Sequence, residues 1–120
     1  MNKIAVRLAG FALFCSLAHA SHAAKVLSGD EVRALITNKT VTVTANSSQW
    51  RQYFAADGSS ARDNGKMSTW SVEGDKHCNT AAASFPCASI RDNGDGTYAR
   101  IKDNGDAIVN WSTIVDGKGF

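Results

Sequence analysis

The sequence predicts a mainly β fold. A short N-terminal helix is followed by about seven or eight antiparallel strands in an up-and-down meander, which curls into a small barrel or strongly curved sheet. Three observations carry this prediction. Apolar and polar residues alternate with period two through short stretches after residue 39, as in strands with one buried face. The tetrapeptide Arg/Lys-Asp-Asn-Gly recurs at Arg62, Arg91 and Lys102, and Asn-Gly tolerates the positive φ that tight hairpin turns demand. Sequential hairpins favour neighbouring positions in a sheet, and a meander of this many strands closes to remove its edges. A two-sheet sandwich is the competing architecture.

The chain begins with the features of an export signal. Lys3 and Arg7 precede an apolar run at 8–18 that is too short to span a bilayer, and Ala18-His19-Ala20 offers a cleavage site. Residues 1–20 are therefore expected to be a signal peptide and residues 21–120 a single β-rich domain. The mature chain would start at Ser21, or at Ala24 if Ser21-His22-Ala23 is read instead. Cys15 lies inside this segment, behind a Phe14 too large for a lipoprotein site. The expected location is periplasmic or secreted, in a bacterium.

The signal also accounts for the apparent basic character. The chain holds 13 Lys and Arg against 11 Asp and Glu. Lys3 and Arg7 belong to the signal, which leaves 11 basic residues against 11 acidic ones. No Lys/Arg cluster suits a nucleic acid. After cleavage there is no second apolar run of about 18 residues to insert into a membrane.

The helix is predicted from Ser28-Gly29-Asp30-Glu31, a capping box, with Leu27 and Val32 at the staple positions. Asp30 and Glu31 sit at the positive end of the helix dipole. Val32, Leu35 and Ile36 form one apolar face, and Asn38 closes the helix in a left-handed conformation. A helix this short must pack on something, and an end or edge of the sheet is the expected place.

Residues 39–45 alternate strictly, with Val41, Val43 and Ala45 on one face and threonines on the other. A turn at Asn46-Ser47-Ser48 leads to a strand with Trp50 and Phe54 on one face and Arg51 and Tyr53 on the other. Asp57-Gly58 and Glu73-Gly74-Asp75 are further turns, on either side of a strand carrying Trp70. Two-residue Asn-Gly loops fix a register for the last hairpins. The second tip puts Ile90 opposite Thr97 and Ala88 opposite Ala99, with Ser89, Arg91, Tyr98, Arg100 and Lys102 on the other face. The third puts Ile101 opposite Ile108 and Tyr98 opposite Trp111. The strand at 107–115 is apolar on both faces, residues 23–25 are a short leader, and residues 116–120 are a frayed tail.

Two cysteines remain after cleavage, Cys78 and Cys87. An even count in an exported chain predicts a disulfide, with two free thiols as the alternative. A metal pair is disfavoured by the spacing and by the absence of further thiols.

The segments Leu27-Ser28-Gly29-Asp30-Glu31-Val32-Arg33-Ala34-Leu35, Tyr53-Phe54-Ala55-Ala56-Asp57-Gly58 and Trp70-Ser71-Val72-Glu73-Gly74-Asp75, with Cys78 and Cys87, resemble a group of small exported bacterial proteins. These form a domain-of-unknown-function family. The resemblance implies a lipocalin-like β domain and no known activity, so no catalytic residue is carried over.

Candidate chemistry is sparse. Asp92, Asp95, Asp103 and Asp106 place carboxylates in two hairpin tips, but Gly94 stands where a calcium loop needs an oxygen ligand, and turn chemistry explains the aspartates. His77 beside Cys78 is expected to be a partly exposed strand residue. There is no Gly-x-Ser-x-Gly and no accompanying His/Asp set. No catalytic residue, metal ligand or cofactor is assigned, and the chain is expected not to be an enzyme. Arg51, Tyr53, Tyr98, Arg100 and Trp111 suit a ligand pocket or a protein-binding patch, with ordinary packing under arginine stems as the alternative. The expected function is an exported non-enzymatic binding module for a small molecule or an envelope protein. The second reading is an inhibitor of a secreted or envelope hydrolase that inserts its leader or a hairpin tip.

Overall fold

The computed structural model describes residues 21–120; the signal peptide expected at 1–20 lies outside the described residues. The elements in order are β1 (Lys25–Val26), α1 (Gly29–Ile36), β2 (Lys39–Ala45), β3 (Ser48–Phe54), β4 (Ser59–Arg62), β5 (Met67–Glu73), β6 (Lys76–Asn79), β7 (Cys87–Asp92), β8 (Tyr98–Ile101) and β9 (Ala107–Asp116). Strands β2 to β9 pair antiparallel in sequence, and β9 pairs back onto β2 through Val41↔Ile114 and Val43↔Trp111. The result is a closed eight-stranded antiparallel barrel. The sandwich is thereby excluded.

The interior follows from register, because directly opposed residues share a face. Gln52 faces Val41 and Arg62, Phe54 faces Ser60, His77 faces Val72 and Ala88, and Arg100 faces Ile90 and Val109. The core joins Val41, Val43, Phe54, Trp70, Ile90 and Trp111 from the strands to Leu27, Val32 and Ile36 from the helical segment.

Antiparallel strands put successive turns at alternate ends of the barrel. Turns 55–58, 74–75 and 93–97 lie at the end covered by α1. Turns 46–47, 63–66 and 102–106 and the loop 80–86 lie at the opposite end. The capping box forms as expected. Ser28 Oγ accepts from Glu31 N at 3.2 Å, and Ser28 N donates to Glu31 Oε1 at 2.8 Å. Asp75 Oδ1 accepts from Gly29 N at 2.8 Å, which ties the start of the helix to the β5–β6 turn. Gly29 is required for this approach: a Cβ there would lie 2.2 Å from the Gly74 carbonyl oxygen. Asn38 ends the helical segment at φ 60°.

Several expectations are corrected. The three Asp-Asn-Gly tips are not two-residue turns, since neither Asn64, Asn93 nor Asn104 has positive φ. Gly65 and Gly105, at φ 89° and 94°, close three-residue loops instead, and Asn64 and Asn104 accept from the backbone of Lys66 and Asp106. The second tip is also a three-residue loop, shifted one residue along the tetrapeptide to 94–96. Asp92 and Asp95 each cap a backbone N–H there, and Asn93 N bonds Thr97 O. Ile90 therefore faces Arg100 rather than Thr97, and Arg91 faces Ala99. This reverses the parity: Tyr98 and Arg100 share a face with Ala88 and Ile90, not with Ser89 and Arg91. The third register holds at Tyr98↔Trp111, but a bulge after Arg100 sets Ile101 opposite Ala107 instead of Ile108.

Neither end of the described residues hangs free. The leader contributes β1, which extends the β7 edge beyond the end of β6, and His22 Nε2 lies 2.9 Å from Asp92 Oδ2. The tail is held by Gly117 N to Asn38 O, Gly119 N to Thr40 Oγ1 and Arg51 Nη1 to Gly119 O. Strand β9 is not buried on both faces; Ser112, Thr113 and Val115 are exposed.

Candidate functional site: the open end of the barrel

The end opposite α1 encloses a cavity of about 240 Å³. Its floor is Val43, Phe54 and Trp111, its walls carry Trp50, Gln52, Arg62, His77, Asn79 and Arg100, and residues 82–85 of the β6–β7 loop cross its rim. Alternation builds this lining. Trp50, Gln52 and Phe54 are two residues apart on β3 and so point inward together, as do His77 and Asn79 on β6.

Arg100 is almost fully buried and has no carboxylate partner among the described residues. Its Nε donates to His77 Nδ1 at 3.1 Å, and Nη2 donates to the carbonyls of His77 (3.1 Å), Phe85 (2.9 Å) and Pro86 (3.2 Å). Burial lowers its pKa to about 10, so it remains a cation at neutral pH. His77 is completely buried, with its ring against Phe54, Trp70 and Trp111. Burial, and then the charge of Arg100, pushes its pKa down to about 3. A neutral imidazole that accepts at Nδ1 carries its proton on Nε2, and that N–H has no partner among the described residues. The Arg62 guanidinium lies 4.3 Å from the centre of the Trp50 ring, and its buried Nε–H is also unpartnered among the described residues.

The amide oxygens of the lining are occupied. Gln52 Oε1 accepts from Trp50 Nε1 at 3.0 Å, and Asn79 Oδ1 accepts from Ala81 N at 2.9 Å. None of the residues lining the cavity is acidic.

The five residues proposed from sequence do not form one site. Arg100 and Trp111 line the cavity. Tyr98 points inward near the helix end beside Leu35, where burial and then Asp92 raise its pKa. Arg51 and Tyr53 lie outside the barrel: Arg51 holds Asp63 and the tail, and Tyr53 Oη lies 3.4 Å from Asn38 Oδ1. His77 is the clearest correction, being fully buried rather than partly exposed. Trp50 and Phe54 had been assigned one face, and the same parity carries Gln52 inward with them. Arg62 and His77 depend on long-range register, which no local pattern reports.

Cys78 and Cys87 are disulfide-bonded as expected, directly opposite one another at the base of the loop that crosses the rim. The four hairpin aspartates are separated, Asp92 and Asp95 at the helix end and Asp103 and Asp106 at the open end. Among the described residues no three potential metal ligands come together. No described helix is long and apolar enough to cross a membrane. Comparison of the chain with protein-family models, with curated proteins and with solved structures finds no match.

Proposed function

We propose that this protein is an exported, non-catalytic binding module that takes a small molecule into the open end of its barrel. The single observation that carries this reading is the aromatic-floored cavity of about 240 Å³. An apolar cavity of about 150 Å³ accepts benzene, and pockets for drug-sized ligands begin near 300 Å³. The expected ligand is therefore somewhat larger than one aromatic ring. Export to the periplasm or beyond rests on the features of residues 1–20 and on the resemblance to small exported bacterial proteins; the disulfide accords with it.

The composition of the cavity supports a non-catalytic role. Its ionisable groups are two arginines and an imidazole that burial pushes far below its working range. The hydrolase-inhibitor reading loses the leader as its inserting element, because β1 and His22 lie paired against the barrel, and keeps only the hairpin tips.

Native mass spectrometry on protein recovered from the periplasm is the test. A retained adduct of small-molecule mass, released on denaturation, is the expected result. A bare protein that also co-purifies with a stoichiometric envelope hydrolase would replace the binding-module reading with the inhibitor reading.

A further inference from the structure

The cavity's hydrogen-bonding capacity is one-sided. His77 offers Nε2–H, Arg62 offers Nε–H, and Arg100 brings a buried positive charge with no carboxylate against it among the described residues. The acceptors that could balance them, Gln52 Oε1 and Asn79 Oδ1, are already engaged. Buried donors without acceptors and an unneutralised cation are costly unless an acceptor or an anion reaches them.

We infer that the ligand is a small organic anion: an apolar or aromatic body bearing one carboxylate-type group. This inference rests on the binding-module reading and narrows it. The body packs on Phe54 and Trp111, which already make edge-to-face contacts with Trp70 and His77. The anionic group meets Arg62, which is half-buried at Trp50 and presents a planar fork matched to a carboxylate. A cationic ligand would meet two positive charges, and a neutral ligand would leave them uncompensated.

The test uses three probes of nearly equal shape, 3-phenylpropanoate, 3-phenylpropanamide and 3-phenylpropylamine. Calorimetry and tryptophan fluorescence follow their binding to the oxidised protein. The acid is expected to bind about tenfold tighter than the amide, as a charge-assisted hydrogen bond provides, and the amine weakest. Arg62→Gln is expected to abolish the advantage of the acid over the amide. Arg62→Lys, which retains the charge, is expected to restore part of it, and far-UV circular dichroism of each variant checks that it is folded. Equal binding of acid and amide, or preference for the amine, overturns the anion inference and leaves the binding-module reading standing. No binding of any probe to the wild-type protein overturns both. An acid preference that survives Arg62→Gln overturns the placement of the anionic group at Arg62.

Discussion

At one end of the barrel Leu27, Val32 and Ile36 are almost completely buried among the strands, and the helix that follows Leu27 is tied down by Asp75. At the other end Trp50, Arg62, Ile108 and Val109 remain partly exposed around a cavity, with Arg100 and His77 buried beneath them. The same meander builds both ends. The difference is that the chain supplies its own apolar plug to the first and leaves polar donors in the second. An apolar plug contributes stability through burial. Buried charges and unpartnered N–H groups contribute little or cost some, which is the pattern of a site retained for binding rather than for packing.

The comparison can be broken most directly by truncating one isoleucine at each end. Ile36→Ala empties space in a closed core and is expected to cost about 2–5 kcal/mol. Ile108 already fronts the cavity, so Ile108→Ala is expected to cost less than about 1 kcal/mol. Urea unfolding midpoints at constant m-value measure both. Equal losses would mean that the two ends are packed alike.

Much of the plugged end was legible in the sequence, because its signals are local. Ser28 and Glu31 cap each other across one helical turn, and Val32 and Ile36 repeat at helical spacing. The strands were legible for the same reason, through strict alternation as at Val41 and Val43. The open end was largely hidden. His77 and Arg100 are separated by 23 residues and meet only once β6, β7 and β8 have paired in the correct register. That register turns on how many residues the second Asp-Asn-Gly tip uses. The same tetrapeptide supplies all three loop residues at Asp103-Asn104-Gly105, but at the second tip the three-residue loop is shifted one residue along, to Gly94-Asp95-Gly96, closed by Asn93 and Thr97. A change of parity in one turn moves every following side chain to the other face, so Arg100 was read on the same face as Arg91.

His77 offers a sharper, pH-dependent version of the comparison. Its folded-state pKa of about 3 lies below the ordinary value of 6.5. As pH falls through about 6.5 the unfolded chain takes up a proton that the native imidazole refuses, so stability is full above that value and declines below it. The slope approaches about 1.4 kcal/mol per pH unit, for a loss of about 3 kcal/mol by pH ~4. Carboxylates held low in the native state act later. Lys25 holds Glu31, the Ser59 N–H holds Asp57 and the Thr97 hydroxyl holds Asp95, and all three titrate below the ordinary carboxylate range. The interval from pH 6.5 to 5 lies above that range and is where the His77 contribution is read. Urea unfolding of wild type and His77→Gln across this interval is the measurement, with a shallower profile expected for the variant. An unchanged slope in His77→Gln would remove His77 as its source.

The smallest expected effect separates the ends by mobility. The Cys78–Cys87 bridge spans a sequence separation of 9 and closes the loop that crosses the cavity rim. Arg100 holds the same loop through the Phe85 and Pro86 carbonyls. Replacing both cysteines by serine is expected to cost about 2–3 kcal/mol by the chain-entropy estimate. Part of that loss should be local, because only hydrogen bonds, from Arg100 to the Phe85 and Pro86 carbonyls and from Asn79 N to Pro86 O, then restrain the loop. Hydrogen exchange can resolve this: amides of β6, β7 and the intervening loop should exchange faster than the global loss of stability requires, while those of α1 follow the global loss alone. Uniform acceleration through α1 and the loop would show one cooperative unit from end to end. The open end would then be as rigidly built as the plugged one, and entry of a ligand would require more than movement of residues 82–85.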